Sequence, residues 1–204
     1  MEGQPAPDRL DVWVDPGCPW SWQTTRWLRD LRDRGILEIR WRLFSLEVNA
    51  AGADAPYWDP FRRFGAAHAA LVQVDRDRGN ASFEALLFAL AHRLHDLHEE
   101  ITDATVRAAA ADAGLEDLGS DPWTDPKLVQ LVIDEYLAAR QLDVFGVPTL
   151  LLAGTKPIYG PIIPEAPEDA EALEWWTHVR WLAARPDFFE LKRWPRDRKP
   201  GRKA

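Results

Sequence analysis

Hydrophobic and polar residues alternate in two short stretches near the start of the chain, residues 10–14 and residues 37–43. This period of two predicts two β-strands. Between them, from Pro19 onward, apolar residues recur at helical spacing until Gly35, and this pattern predicts a helix with a glycine stop. Strand, helix and strand form a βαβ unit, whose crossover implies that the two strands pair in parallel.

The middle of the chain has helical periodicity only. Four alanine-rich segments predict helices at residues 61–74, 82–97, 102–113 and 126–140. Asp125 before Pro126 indicates an N-cap followed by proline at the first helical position. His68 stands alone in the first of these segments, and we expect it to be packed or exposed rather than catalytic.

Strand patterns return after Asp143. Residues 147–152 and 156–159 flank Gly154-Thr155, which predicts a β-hairpin, and a last helix is predicted at residues 168–184. The order βαβ, helices, ββα indicates an α/β fold interrupted by an all-helical insertion. We expect one domain formed by residues 8–50 and 142–193, an insertion at 51–141 and a solvated basic tail at 194–204.

Composition narrows the functional classes. The 204 residues carry a net charge of −8 and a pI near 5.2, which argues against a nucleic-acid surface. No segment resembles a signal peptide or a membrane span, so a cytoplasmic protein without membrane contact is expected. The single cysteine excludes an internal disulfide and fits a reducing compartment.

That cysteine, Cys18, begins the first predicted helix and is followed by Pro19. A thiol at a helix N-terminus faces unpaired backbone N–H groups and the positive end of the helix dipole, so we expect a lowered pKa and a reactive thiolate. Pro19 suits the first helical turn because it removes no needed hydrogen bond. The competing interpretation is a small buried apolar residue.

Residues 15–22 read Asp-Pro-Gly-Cys-Pro-Trp-Ser-Trp, and residues 146–149 read Gly-Val-Pro-Thr. Together with the element order, they resemble the DsbA-like branch of the thioredoxin superfamily. The similarity is greatest to mycothiol-dependent reductases, namely nitroreductase and mycoredoxin-like proteins, and it extends through residues 92–95, Gly160-Pro161 and residues 188–192 to about Arg193. The fold implied is thioredoxin-like with a helical insertion.

The resemblance implies roles for individual residues. Cys18 would be the nucleophile that attacks a disulfide or oxidised substrate, and Pro148 would be the cis-proline facing the active-site helix. The backbone of Val147 would pair with a bound thiol substrate. The remaining substrate-binding residues implied are Pro19, Trp20, Trp22 and His95.

Ser21 departs from the family pattern, which has a second cysteine there. A hydroxyl cannot resolve a mixed disulfide, so turnover would need an external small thiol, mycothiol or glutathione, as co-substrate. Ser21 would hydrogen-bond the Cys18 thiolate. We expect a monothiol oxidoreductase acting on a disulfide or small electrophilic substrate, as a monomer or homodimer, with no tightly bound cofactor.

Three other interpretations stay open. In kappa-class glutathione transferases and the related chromene-carboxylate isomerases, which this architecture also resembles, a serine positions a bound thiol cofactor, and Cys18 would then be accessory. Loss of the second cysteine would alternatively leave a non-catalytic binding or chaperone-like module. In the third interpretation, Ser21 is an engineered replacement of the second cysteine of an ordinary dithiol enzyme.

His92, His95 and His98 recur at intervals of three residues near Glu99. Histidines at i and i+3 can share a helix face toward a metal, but a third at i+6 has rotated away. We expect no metal site. The sequence also contains no glycine-rich phosphate loop, so it does not indicate a bound nucleotide or flavin.

Overall fold

The structure is a computed structural model that describes residues 6–51, 63–118, 125–193 and Pro200. The elements in these ranges follow the order β1 (Asp8–Val14), α1 (Pro19–Asp33), β2 (Leu37–Leu43), α2 (Leu46–Ala51), α3 (Gly65–Arg78), α4 (Asn80–His95), α5 (Asp103–Asp112), α6 (Pro126–Gln141), β3 (Thr149–Leu152), β4 (Ile158–Tyr159) and α7 (Asp169–Ala183).

The strands form a mixed sheet in the order β2-β1-β3-β4. β1 pairs in parallel with β2, with Val14 opposite Leu43, so the predicted βαβ unit is confirmed. β3 runs antiparallel to β1, with Thr149 opposite Trp13. The end of β1 and the start of β3 therefore meet at one edge of the sheet, and the residues after β1 continue into α1 from this edge.

Helix α1 connects the sheet to the C-terminal helix. Pro19 occupies its first turn, as predicted, and Trp27, Leu28 and Leu31 are fully buried. The Trp27 indole N–H donates to the Ala172 carbonyl of α7 at 2.9 Å. Burial of these large side chains stabilises the fold by about 1.5–3 kcal/mol each, which fixes the helix whose N-terminus carries Cys18.

The helical insertion packs on the β2 side of the sheet. Helix α3 contacts α4, α5 and α6, and α3, α4 and α6 each contact β2. Buried alanines of α3, at positions 67, 69 and 70, allow this close helix packing. α3 begins at Gly65 and ends at Arg78, later than the predicted 61–74, because Gly79 with a φ of +84° ends it. Residues 61 and 62 lie outside the described ranges.

One element was not predicted, and one strand is shorter than predicted. Helix α2, which periodicity did not reveal, has only six residues, too few for a helical pattern, and its first turn is capped by the Ser45 hydroxyl, which accepts from Val48 N–H at 3.1 Å. Strand β4 is shorter than the predicted 156–159, since Pro157 has no N–H to donate.

The basic tail at 194–204 lies outside the described residues apart from Pro200. The division of the chain into 8–50, 51–141 and 142–193 stays a prediction. Within the described ranges, no helix combines the length and the apolar character that crossing a membrane requires.

Candidate functional site

Cys18 is the N-cap of α1, with an extended backbone at φ −90° and ψ 111°. Its sulfur accepts a hydrogen bond from the Ser21 backbone N–H at 3.5 Å, and its carbonyl accepts from Trp22 N–H at 3.1 Å. Sulfur thus occupies the capping position usually taken by a serine or aspartate oxygen. The helix start orients the thiol toward the backbone N–H groups of the first turn of α1, as the sequence predicted.

The expected lowering of the Cys18 pKa is wrong. Burial raises the pKa of the thiol above its ordinary value, although the Ser21 hydroxyl and the backbone N–H groups of Ser21 and Trp20 act in the opposite direction. The Asp15 carboxylate adds a smaller increase. The reason is desolvation: only 7% of Cys18 is exposed, and burial disfavours the charged form.

This shift gives a pH prediction. Alkylation of Cys18 by iodoacetamide, followed by mass spectrometry between pH 6 and pH 11, should show a rate midpoint above the ordinary thiol value of about 8.5. The same protein unfolded in urea is the control and should show the ordinary midpoint. A midpoint below the ordinary value in the folded protein would contradict the dominance of burial.

Ser21 lies on the first turn of α1, with its side chain beside Cys18. It is 2% exposed, and its Oγ makes no hydrogen bond of good geometry to any residue in the described part of the chain. Its proximity nevertheless lowers the pKa of the Cys18 thiol. A buried hydroxyl without a full partner costs free energy, so Ser21 has hydrogen-bonding capacity for a thiolate or for a bound molecule.

The loop that leads to Cys18 is organised by Asp15. One carboxylate oxygen accepts from Gly17 N–H and the other from Leu46 N–H, each at 2.8 Å, and the Asp15 carbonyl accepts from Cys18 N–H at 3.0 Å. Burial acts to raise the pKa of Asp15. His68 and the two backbone N–H groups lower it by more than burial raises it, so the pKa of Asp15 lies below its ordinary value. Asp15 is therefore a buried carboxylate that fixes the backbone next to the thiol.

An aromatic ring covers this loop. A Cβ atom placed on Gly17 would lie 2.5 Å from Cζ of Phe64, so any other residue at position 17 would require the Phe64 ring to move. Phe64 immediately precedes α3, so the helical insertion contacts the loop that carries Cys18.

The loop before β3, which contains Val147 and Pro148, lies at the same edge of the sheet as Cys18. The Val147–Pro148 peptide bond is cis, and both residues are buried. The Pro148 carbonyl accepts from Gly160 N–H at 2.8 Å. Pro161 directly follows Gly160, and its carbonyl accepts from the Thr24 hydroxyl of α1 at 2.9 Å. These bonds attach the loop to the first half of α1.

Trp22, which the resemblance implied as a substrate-binding residue, is buried against the helical insertion. It is 5% exposed, its ring packs edge-on against Phe88 with centroids 5.5 Å apart, and its indole N–H donates to Asp96 at 2.9 Å. Trp22 therefore joins α1 to the C-terminal end of α4, because its polar atom and its ring face both have partners there. Pro19 and Trp20 are half-buried beside Cys18, and Trp20 packs against the core.

His95 is brought to the active-site loop. Its Nε2 lies 2.8 Å from the Pro16 carbonyl oxygen, and because a carbonyl only accepts, this nitrogen carries the hydrogen. Burial lowers the pKa of His95, which favours the neutral ring. His92 instead contacts Asp96 at 2.8 Å, so these two histidines have separate partners.

Sequence reasoning missed the roles of Asp15, His68 and Phe64. Asp15 was noted only as part of the motif, and His68 is fully buried with its ring stacked on Phe64 at a centroid distance of 6.1 Å. An aspartate three residues before the cysteine was the one available signal. Its contact with His68 arises from tertiary packing alone.

Comparison with known structures supports the fold. The chain is similar to Proteus mirabilis ScsC in a transitional conformation, with a TM-score of 0.58 and 15% identity over 87% of this chain and 70% of that one. It is also similar to a putative protein disulfide isomerase from Nitrosomonas europaea, with a TM-score of 0.55 and 16% identity over 85% and 98% of the two chains. These likenesses confirm the thioredoxin-like fold with a helical insertion.

Sequence comparison gives the family. A relative in Mycobacterium tuberculosis (strain ATCC 25618 / H37Rv), described as uncharacterized protein Rv2286c, is 31% identical over 199 residues, which cover 90% of this chain and 81% of the relative. The family model described as Rv2466c-like, mycothiol-dependent nitroreductase Rv2466c, matches residues 17–193, from the loop before Cys18 to the end of the described range 125–193. The DsbA-like resemblance and the expectation of an oxidoreductase are thereby confirmed, and the chain belongs to the Rv2466c-like family.

Proposed function

We propose that the protein is a thiol–disulfide oxidoreductase that works with Cys18 as its single redox-active thiol and a small thiol as co-substrate. The observation that carries this proposal is the placement of Cys18 at the N-cap of α1, with the Ser21 N–H group on its sulfur. The name of the family supports mycothiol as the small thiol. Glutathione, the other small thiol expected from the sequence, is tested beside it.

The reaction consists of two exchanges. The Cys18 thiolate attacks one sulfur of a mixed disulfide, the Cys18–sulfur bond forms, and the released partner leaves as a thiolate that takes up a proton. A second small thiol, as its thiolate, then attacks the small-thiol sulfur bound to Cys18. The small thiol leaves as its symmetric disulfide, and the Cys18 thiolate is regenerated.

The protein's own groups serve these steps in different ways. The Ser21 and Trp20 N–H groups and the Ser21 hydroxyl stabilise the sulfur when it is negatively charged, both before attack and when it leaves. Pro19 and Trp20 would flank the substrate. The backbone of Val147, ahead of the cis-proline Pro148, would hold the substrate in strand fashion. Burial keeps the resting thiol protonated, so the reaction draws on a minority thiolate.

Mass spectrometry tests the proposal directly. The reduced protein incubated with oxidised mycothiol should gain a single small-thiol adduct on Cys18, and added reduced mycothiol should remove it. Oxidised glutathione is the parallel arm and decides which thiol exchanges faster. Absence of any adduct with either disulfide, in protein whose fold is verified by circular dichroism, would overturn the monothiol mechanism.

A second function is favoured by the unpaired Ser21 hydroxyl. In a transferase or isomerase of the kappa-class type, this hydroxyl would hold the thiolate of a bound cofactor, and Cys18 would stay accessory. Such an enzyme would bind the reduced small thiol without forming an adduct. Cytoplasmic location and a monomeric or homodimeric state remain predictions.

A further inference from the structure

A buried carboxylate–imidazole contact joins the helical insertion to the Cys18 loop. Nε2 of His68, on α3, lies 3.2 Å from Oδ2 of Asp15, and the side chains of both residues are at most 3% exposed. An imidazole nitrogen and a carboxylate at this distance interact more strongly inside a protein than in water, although neither ring nitrogen of His68 makes a hydrogen bond of good geometry within the described residues. This contact joins His68 of the helical insertion to Asp15, the residue that organises the loop before Cys18.

Asp15 depends on His68 as well as on its backbone donors, because its carboxylate is buried. Its two oxygens already accept from Gly17 and Leu46 N–H groups, and its backbone carbonyl holds the amide of Cys18. A carboxylate that is 3% exposed is costly to bury without a cation or a full set of donors. Loss of His68 would therefore destabilise the buried position of the Asp15 carboxylate, which fixes the positions of residues 15–18.

Phe64 excludes water from the same place. Its ring stacks on His68 with an interplanar angle of 22° and lies directly against Gly17. The backbone N–H of Phe64 is held at 3.1 Å by the carboxylate of Glu47 on α2. His68 is thus enclosed between the loop and the start of α3, and its contact with the Asp15 carboxylate is made away from solvent.

The charges around the pair extend to Cys18 and His95. The Asp15 carboxylate raises the pKa of Cys18 and acts in the same direction on His95. Through Asp15, a substitution at His68 can thus affect the thiol without touching it.

We propose that His68 is a positioning residue for Cys18: from the helical insertion it holds the Asp15 side chain and thereby keeps the thiol buried and oriented at the start of α1. The catalytic part of this inference rests on the proposed function. The structural part, control of Cys18 access, is independent of it.

The test compares alkylation of Cys18 by iodoacetamide at pH 8 in four proteins. These are the wild type, His68→Leu, His68→Gln and the control His178→Gln, which replaces an exposed histidine on α7. The glutamine amide nitrogen reaches about the position of Nε2, so His68→Gln keeps an N–H group toward Asp15, whereas leucine offers none. Circular dichroism verifies that each variant is folded.

His68→Leu should be alkylated at least about tenfold faster than the wild type, because the buried Asp15 carboxylate loses its polar contact with the imidazole and is left with fewer partners. His68→Gln and His178→Gln should stay within about twofold of the wild type. A folded His68→Leu with the wild-type rate, or a His68→Gln as fast as His68→Leu, would overturn the proposal. If His68→Leu does not fold, His68→Asn takes its place with the same expected acceleration, because its shorter amide does not reach Asp15.

Disulfide exchange is the second readout. His68→Leu should exchange with a small mixed disulfide more slowly than the wild type although its thiol is more accessible, because the sulfur is no longer held beside the Ser21 N–H group that stabilises it when it leaves. His68→Gln should restore the rate. Because partial unfolding would also speed alkylation and slow exchange, both rates are measured well below the unfolding temperature of each variant. If the wild type itself does not exchange, the proposed function fails, while the alkylation comparison still decides whether His68 positions Cys18.

Discussion

Replacing Cys18 with alanine should lower the rate of thiol–disulfide exchange by at least about three orders of magnitude, because the atom that forms the covalent intermediate is removed. The measurement is turnover of a small mixed disulfide with mycothiol as the second thiol. Cys18 is the only sulfur nucleophile in the chain, so no other residue can form the adduct. Mass spectrometry of the same reaction should show no modified protein.

Cys18→Ser is the matched control for this variant. Serine retains a side-chain acceptor at the N-cap, where oxygen is at least as good a cap as sulfur, so the start of α1 and the fold should be preserved. It should be as inactive as Cys18→Ala. Turnover that persists in both variants would refute the single-thiol mechanism and favour the enzyme with a bound thiol cofactor.

Ser21→Cys should convert the protein into a dithiol enzyme. Position 21 lies one helical turn after Cys18, and its backbone N–H already contacts the Cys18 sulfur at 3.5 Å. From a Cys18 mixed disulfide, the introduced thiolate would attack the Cys18 sulfur, an internal disulfide would form, and the small thiol would leave and take up a proton. We expect one equivalent of small thiol to be released without any second thiol.

The control for Ser21→Cys is Ser82→Cys, which also adds one thiol. Ser82 lies in the first turn of α4, whereas His95 at the other end of that helix contacts the Cys18 loop, so the introduced thiol is on the order of 20 Å from the site. Ser82→Cys should keep its adduct until external thiol is added. Release from both variants, or from neither, would show that position 21 has no special access to Cys18.

The local parts of the fold were predictable from the sequence, and the site's electrostatics were not. Alternation of apolar residues located β1 and β2, and Pro19 located the start of α1 with Cys18 as its cap, because these patterns depend on neighbours in sequence. The direction of the Cys18 pKa depends on burial, which comes from tertiary packing. The prediction used the helix terminus alone and was therefore wrong.

The same distinction explains the residues that the sequence did not reveal. Asp15 and His68 belong to different predicted segments, and nothing in either segment indicates that they meet. The family resemblance implied a substrate-binding role for Trp22, the last residue of the motif, but its indole N–H donates to Asp96 at the end of α4. Proximity in sequence is a weak guide to which side of a helix faces the substrate.

The burial of Cys18 affects how readily peroxide oxidises its sulfur. Peroxide oxidises thiolates far faster than thiols, and a sulfenic acid that finds no neighbouring thiol can proceed to the irreversible sulfinic acid. A protein with one cysteine cannot trap its own sulfenic acid as an internal disulfide. A thiol that is 7% exposed and has a raised pKa reacts slowly with peroxide, so the burial that limits exchange also protects the only sulfur the chain can use.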